Sequence, residues 1–240
     1  MDLTKLSLAQ VAGLNAAAVG NLTTTQVGTL TAGQVAALTG TEIGALTSTE
    51  IQALTTTQAN ALTAAQRGSL TTTAANKLST TQFTALTTTQ VQGLTTAQLN
   101  ALTTANLDAL VAPKLSTAQA AGLTTTSTSN LTTTQVGALV ATQIAALSSA
   151  QVSTLTTTEL TALTAGQAGA LTSDQIAGLT TTKFASLSTT GITALSTTAL
   201  AGISTADIAA LTTTQGNSFT TTQIASLSSD QLSALVDLVT

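Results

Sequence analysis

The chain contains no cysteine, histidine, tryptophan or tyrosine and only one proline, Pro113, in 240 residues. Without cysteine there are no disulfides and no thiolate chemistry. The compartment stays open, because cytosolic proteins and cysteine-free secreted proteins both fit. With His, Cys and Tyr all missing, none of these three is available for nucleophilic or acid–base work. Charge is also scarce: 6% of residues, against about 25% in ordinary domains. The five basic residues, Lys5, Arg67, Lys77, Lys114 and Lys183, are widely scattered and make no electrostatic footprint for nucleic acid. No apolar run approaches the roughly 18 residues of a membrane span, so no membrane insertion is expected. The first residues, MDLTKLSLAQVAGLNAAAVGN, lack a basic segment followed by an apolar block, so no Sec-type signal is expected.

What remains is mostly Thr, Ala, Leu, Ser and Gln, with three aromatics: Phe83, Phe184 and Phe219. This low complexity is not of the disordered kind. Disorder goes with few apolar residues and high net charge, whereas the chain is 43% apolar with a net charge of −4 and a mean hydropathy of +0.40.

The composition reflects a period of eight. Leucines recur from Leu6 to Leu102, pause over the short unit Leu110-Val111-Ala112-Pro113-Lys114, and resume from Leu115. Ile203 and Phe219 stand in for leucine. The count is 28 octads, 13 before the break and 15 after it. Numbered from the leucine, position 2 is Ser or Thr in 26 of them (Asn15 and Val140 are the exceptions), and position 5 is Gln or Glu in 20. Position 6 is mostly Val, Ile, Leu or Phe, and positions 7 and 8 are small.

Ser or Thr followed three residues later by Gln or Glu is the capping box, in which each side chain takes the other residue's backbone amide. Apolar residues just before the cap and at N4 form the hydrophobic staple, and positions 1 and 6 are those places. In Leu171-Thr172-Ser173-Asp174-Gln175-Ile176, Thr172 is the N-cap, Gln175 its partner, and Leu171 and Ile176 the staple. Repetition in phase turns a weak match into a strong one. The reading is a helix start every eight residues: an all-α solenoid, or superhelix, of very short helices, one per repeat. A single continuous helix is disfavoured, because a period of eight precesses around a 3.6-residue turn and the leucines would hold no face. The rival is a β-solenoid, since Thr, Val and Ile suit strands. Its difficulty is parity: positions 1 and 6 differ by an odd number and would point to opposite faces unless each repeat carried a corner or bulge. In either architecture one octad cannot fold alone, and neighbours must stack to bury a continuous core. The segments are residues 1–109, the broken unit 110–114 with a possible kink at Pro113, and residues 115–240, whose C-terminal end is apolar.

Position 6 is weak at Ala59, Arg67, Ala75, Ala120, Thr128, Ala168 and Gly216. Ala120, Ala168 and Gly216 lie six octads apart, a spacing that either reports whole superhelical turns or arises by chance. Glu42, Glu50, Glu159 and Asp207 occupy position 5, where capping accounts for them. Glu42 and Glu50, one octad apart, would be the pair to hold a cation if any did. No calcium-loop pattern is present. The expectation is no catalytic, cofactor-binding or metal-binding residue and no small-molecule substrate.

The phrases LTTTQVGAL, LSSAQVSTL and LTSDQIAGL resemble octad tracts in large, low-complexity surface or secreted proteins of Gram-negative bacteria. The resemblance spans nearly the whole chain and implies an extracellular structural role. It carries over no catalytic residue. LTTTQV also looks like the opening of a TAL-effector repeat, but the longer period and the base-reading residues of that family have no counterpart here.

Three functions follow as expectations: a self-assembling structural protein, an ice- or surface-binding protein presenting a Thr array, and a passive spacer within a larger assembly. For the first, the partner is the chain itself, joined head to tail through Leu3, Leu6 and Leu8 at one end and Leu235, Val236, Leu238 and Val239 at the other. The same apolar tail could instead fold back as a lid. It could also serve as a C-terminal secretion signal of the type I kind, which would reach the cell exterior without a Sec-type signal.

Overall fold

The structure, a computed structural model, describes residues 3–240. It contains 27 α-helices and three 3-10 turns, with no strand among the described residues. The short-helix solenoid is therefore the architecture, and the β-solenoid is not. Each octad supplies one helix of four to six residues, such as Thr24–Thr29 or Ala141–Ala146. In the octad of Leu195 the helix shrinks to the 3-10 turn Ala199–Gly202. Only Ser229–Val239, with 11 residues, runs longer.

The local reason for each helix is the capping box. At Thr172 the hydroxyl accepts from Gln175 N at 3.2 Å, and Gln175 Oε1 accepts from Thr172 N at 2.9 Å. Asn15 caps through its side-chain oxygen, which accepts from Ala18 N at 2.8 Å. Val140 has no hydroxyl, and only the returning half survives, with Val140 N donating to Gln143 Oε1 at 2.8 Å. Each helix ends after less than two turns because the next leucine is extended. Leu30, for example, has φ −59 and ψ 141, and its amide closes back on Val27 O. The following N-cap is extended too, so two residues redirect the chain. No residue among those described has positive φ, glycines included. The glycines are therefore not left-handed helix ends.

Stacking follows a fixed register. Ala16–Gly20 packs on Gly40–Ala45, and Ala165–Gly169 on Thr189–Ala194, and the same offset of three octads runs through the chain. Three octads, 24 residues, thus make one coil, and residues 24 apart form a column. The chain packs as two units, one ending at Leu115 and the other beginning at Ser116; both are built this way. The short unit before that division keeps the essentials. Leu110 and Ala112 are buried, and Ala112–Lys114 forms a 3-10 turn with Pro113 at its start, where a missing amide hydrogen costs nothing.

Within each unit the position-6 side chains fill the interior. From Val11 to Ile208 each is at most 2% exposed, including the weak positions Ala59, Arg67, Ala75, Thr128 and Ala168. Most of the leucines form a second buried layer beside them, with Leu14, Leu22, Leu102 and Leu227 half-buried. Positions 3 and 4 face solvent, as at Thr24 and Thr25. Small residues at positions 7 and 8 let successive coils touch backbone to backbone. A Cβ on Gly44 would lie 2.8 Å from Ser69 O, and one on Gly169 would lie 2.9 Å from Ala194 O.

The phasing is testable at one octad and its neighbour. Thr172→Ala removes a cap and should cost about 0.5–2 kcal/mol in chemical denaturation. Thr181→Ala, at a first helical position with no cap role, should leave the midpoint unchanged. Equal losses at both would contradict the assignment of position 2 as N-cap.

Candidate functional site

The recurring feature built by the fold is the position-5 glutamine, which does two things at once. Its Oε1 accepts the N-cap amide of its own helix. Its Nε2 donates to the carbonyls that close the helix four octads earlier, the one just before the helix it stacks on, those of residues 28 and 31 positions before it. Gln66 Nε2 reaches Val35 O at 2.8 Å and Leu38 O at 2.6 Å; Gln98 reaches Arg67 O at 2.8 Å and Leu70 O at 2.6 Å. Gln151, Gln175, Gln223 and Gln231 repeat the geometry in the second unit. Helix C-termini leave carbonyls without intrahelical partners, and here the next coil supplies the donors. One planar amide therefore satisfies the start of one helix and the end of another, almost wholly buried at 1–8% exposure in these six residues.

Where glutamine is replaced, the donor decides what survives. Asn106 Nδ2 still reaches Asn76 O at 3.1 Å. Lys183 Nζ donates to Ser153 O, and Lys114 Nζ of the broken unit donates to Leu86 O, 28 residues earlier as in the glutamine case. Glu42, Glu50, Glu159 and Asp207 keep only the capping half: Thr39 N donates to Glu42 at 2.6 Å and Thr47 N to Glu50 at 2.7 Å. Consecutive octads sit on different corners of the coil, so Glu42 and Glu50 are not stacked on each other. No group of three or more potential metal-ligating side chains occurs among the described residues.

Arg67 departs from the pattern. It is fully buried at position 6, and Nη2 donates to Ala59 O at 2.6 Å. Its Nε and Nη1 have no acceptor. Burial disfavours the charged form and lowers its pKa to about 10, so the guanidinium still carries its charge at neutral pH.

The seven end residues singled out from the sequence separate into covered and open. At the start, Leu3 is buried, Leu6 is half-buried and Leu8 is 54% exposed. The carbonyls of Leu3 and Leu6 both receive Gln34 Nε2. At the other end the helix Ser229–Val239 crosses the last coil. Leu235 is buried, and Leu238 and Val239 are half-buried against Gly216, where a Cβ would lie 2.8 and 2.9 Å from their side chains. Val236 stays 47% exposed. Beside it lie Ile224 and Leu232, 37% and 40% exposed, around a cavity of about 210 Å³ that Phe219 and Leu235 also line. Sequence reasoning missed these two. The signal was available: they are the last two position-6 residues, and no later octad of this chain packs on them. The ladder is open at both places. Gln10 and Gln26 have no hydrogen bond from Nε2 to a described residue, and the carbonyls of Ile224 and Leu227 receive no glutamine amide.

Two stretches of the second unit, residues 144–181 and 200–236, match the family model of the ALTTAQ repeat. The matches are consistent with an LTTxQxxA-type octad repeat, and the repeat architecture fits a structural repeat protein. Comparison with curated proteins found no match.

The double role of glutamine is checked by a matched pair of substitutions. Gln175→Glu keeps the capping oxygen but removes the donor to Ile144 O and Leu147 O. It should cost about 1–3 kcal/mol in urea denaturation, the range for leaving buried polar groups unpaired. Gln10→Glu, with a cap but no cross-coil bond, should be nearly silent. Equal effects would mean that the amide nitrogen contributes nothing.

Proposed function

We propose that the chain is a non-catalytic structural protein that polymerises with copies of itself, end to end, into a filament or layer outside the cell or on its surface. The observation that carries this reading is the match between the two open edges of the ladder. One edge offers the donors of Gln10 and Gln26 beside exposed Leu8; the other offers the carbonyls of Ile224 and Leu227 beside exposed Ile224, Leu232 and Val236. A second copy would extend the same hydrogen bonds that join coils inside each unit. The edges are different, so the contact is heterologous and propagates unless it closes into a ring. Leu235, Leu238 and Val239 support the open surface from beneath by seating the last helix on Gly216. The resemblance to octad tracts of surface and secreted proteins supports the extracellular setting. The scarcity of catalytic side chains supports the absence of a reaction.

Sedimentation and electron microscopy of the purified chain test the reading. Particle size should grow with protein concentration. Leu8→Asp combined with Val236→Asp should abolish growth while the helical circular dichroism is kept, because both residues are exposed. Assembly that survives the double substitution would contradict the end-to-end contact. It would move attention to the column of exposed Thr133, Thr157 and Thr205 with half-buried Thr181 between them, along one corner of the second unit. A monodisperse monomer at every concentration would remove self-assembly altogether and leave the spacer reading.

A further inference from the structure

Among the described residues, every buried side-chain polar atom that lacks a partner belongs to one coil of the first unit: Arg67 Nε, Arg67 Nη1 and Asn60 Oδ1. A guanidinium carries five N–H donors in a rigid fork. That of Arg67 is 0% exposed, and its one hydrogen bond goes to Ala59 O. No carboxylate of the described chain pairs with it. The nearest acids by position in the stack, Glu42 and Glu50, are engaged by the amides of Thr39 and Thr47. An ionised group out of water and without a counter-charge is among the least favourable arrangements a fold can hold.

The interior at this level is lined by small apolar side chains. Arg67 shares its coil with Ala59 and Ala75, the other two position-6 residues at that level, both fully buried. The coil before carries Val35, Ile43 and Ile51 in the same columns, and the coil after carries Phe83, Val91 and Leu99. Two alanines thus replace larger side chains at the level where the charge sits. Asn60 follows Ala59 in sequence, and turning its amide over exchanges the unpartnered oxygen for an N–H donor.

We propose that Arg67 binds a small monovalent anion, chloride in ordinary solution, within the interior of the first unit. The anion accepts from Nε and Nη1 and supplies the missing negative charge. Water would satisfy the two donors but not the charge. A divalent oxyanion would bring more volume and leave a net negative charge in the same apolar interior. Ion and fold are then linked: the anion binds the native state and not the unfolded chain, so its concentration sets part of the stability.

The test compares thermal unfolding of the full chain in sodium chloride and in sodium gluconate at matched ionic strength, with Arg67→Met beside the wild type. The wild-type midpoint should rise with chloride by about 2–4 °C per tenfold above the dissociation constant. It should not rise with gluconate, and the variant should be indifferent to the exchange. Equal wild-type midpoints in the two salts, or the same chloride gain in the variant, would overturn the proposal. A second measurement needs no variant. Crystals of the wild-type chain grown in bromide should show an anomalous peak in contact with Arg67 Nε and Nη1, and ordered water there without anomalous signal would equally overturn it.

Discussion

A solenoid of helices this short depends on one interaction, the bridge made by a buried glutamine amide between the start of its own helix and the end of a helix in the preceding coil, four octads earlier. A helix of five residues has almost no intrahelical hydrogen bonds, since its first four amides and last four carbonyls lack partners. Cooperative propagation cannot sustain it alone. The Ser/Thr hydroxyl and the glutamine oxygen satisfy the amino end, and the glutamine nitrogen satisfies the carboxyl end of the neighbour. Each element is therefore completed only by stacking, and stacking is at once hydrophobic burial and hydrogen-bond closure. Glutamate does half of this, because it brings an acceptor where the coil below already presents acceptors.

The three-octad coil then determines how the interior is packed. Columns of position-6 residues run along each unit and compensate in size. In the second unit Ala120, Ile144, Ala168, Ile192 and Gly216 form one column in which small and large side chains alternate, all buried. The six-octad spacing noticed in the sequence is two coils of that column. At its far end the absence of a Cβ on Gly216 admits Leu238 and Val239 of the last helix. Close packing of this kind penalises changes of even one methylene, so substitutions in a column should be felt by its neighbours 24 residues away.

The helices, their caps and their outward faces were legible in the sequence because the capping box is local. Thr172, Gln175 and the staple Leu171 and Ile176 lie within six residues, and parity, with Ala and Gln as poor strand residues, separates them from a strand reading. The number of octads per coil was not legible, because it is set by contacts 24 to 31 residues apart whose donor, the glutamine nitrogen, sits on a side chain that capping already explained. Glycine at positions 7 and 8 takes no left-handed angle: Gly44 and Gly169 permit close approach of the next coil, and Gly93 and Gly178 end their helices in right-handed conformation. Arg67 stands at position 6, where the phasing puts side chains inside, but no local pattern shows that two of its donors go unpaired there. Of the end residues, Leu8 and Val236 are exposed and Leu235 is inside; Ile224 and Leu232 follow only once the coil length is known.

The central claim is that interior glutamine amides are structural hydrogen-bond donors, and hydrogen exchange of side-chain amides by NMR reads this directly. The Nε2 protons of Gln66, Gln98 and Gln175 should exchange orders of magnitude more slowly than those of Gln10 and Gln26, which have caps but no hydrogen bond from Nε2 to a described residue. Uniformly fast exchange of all five, in a chain that remains folded, would contradict the ladder and with it the stacking register on which the rest of the structure depends.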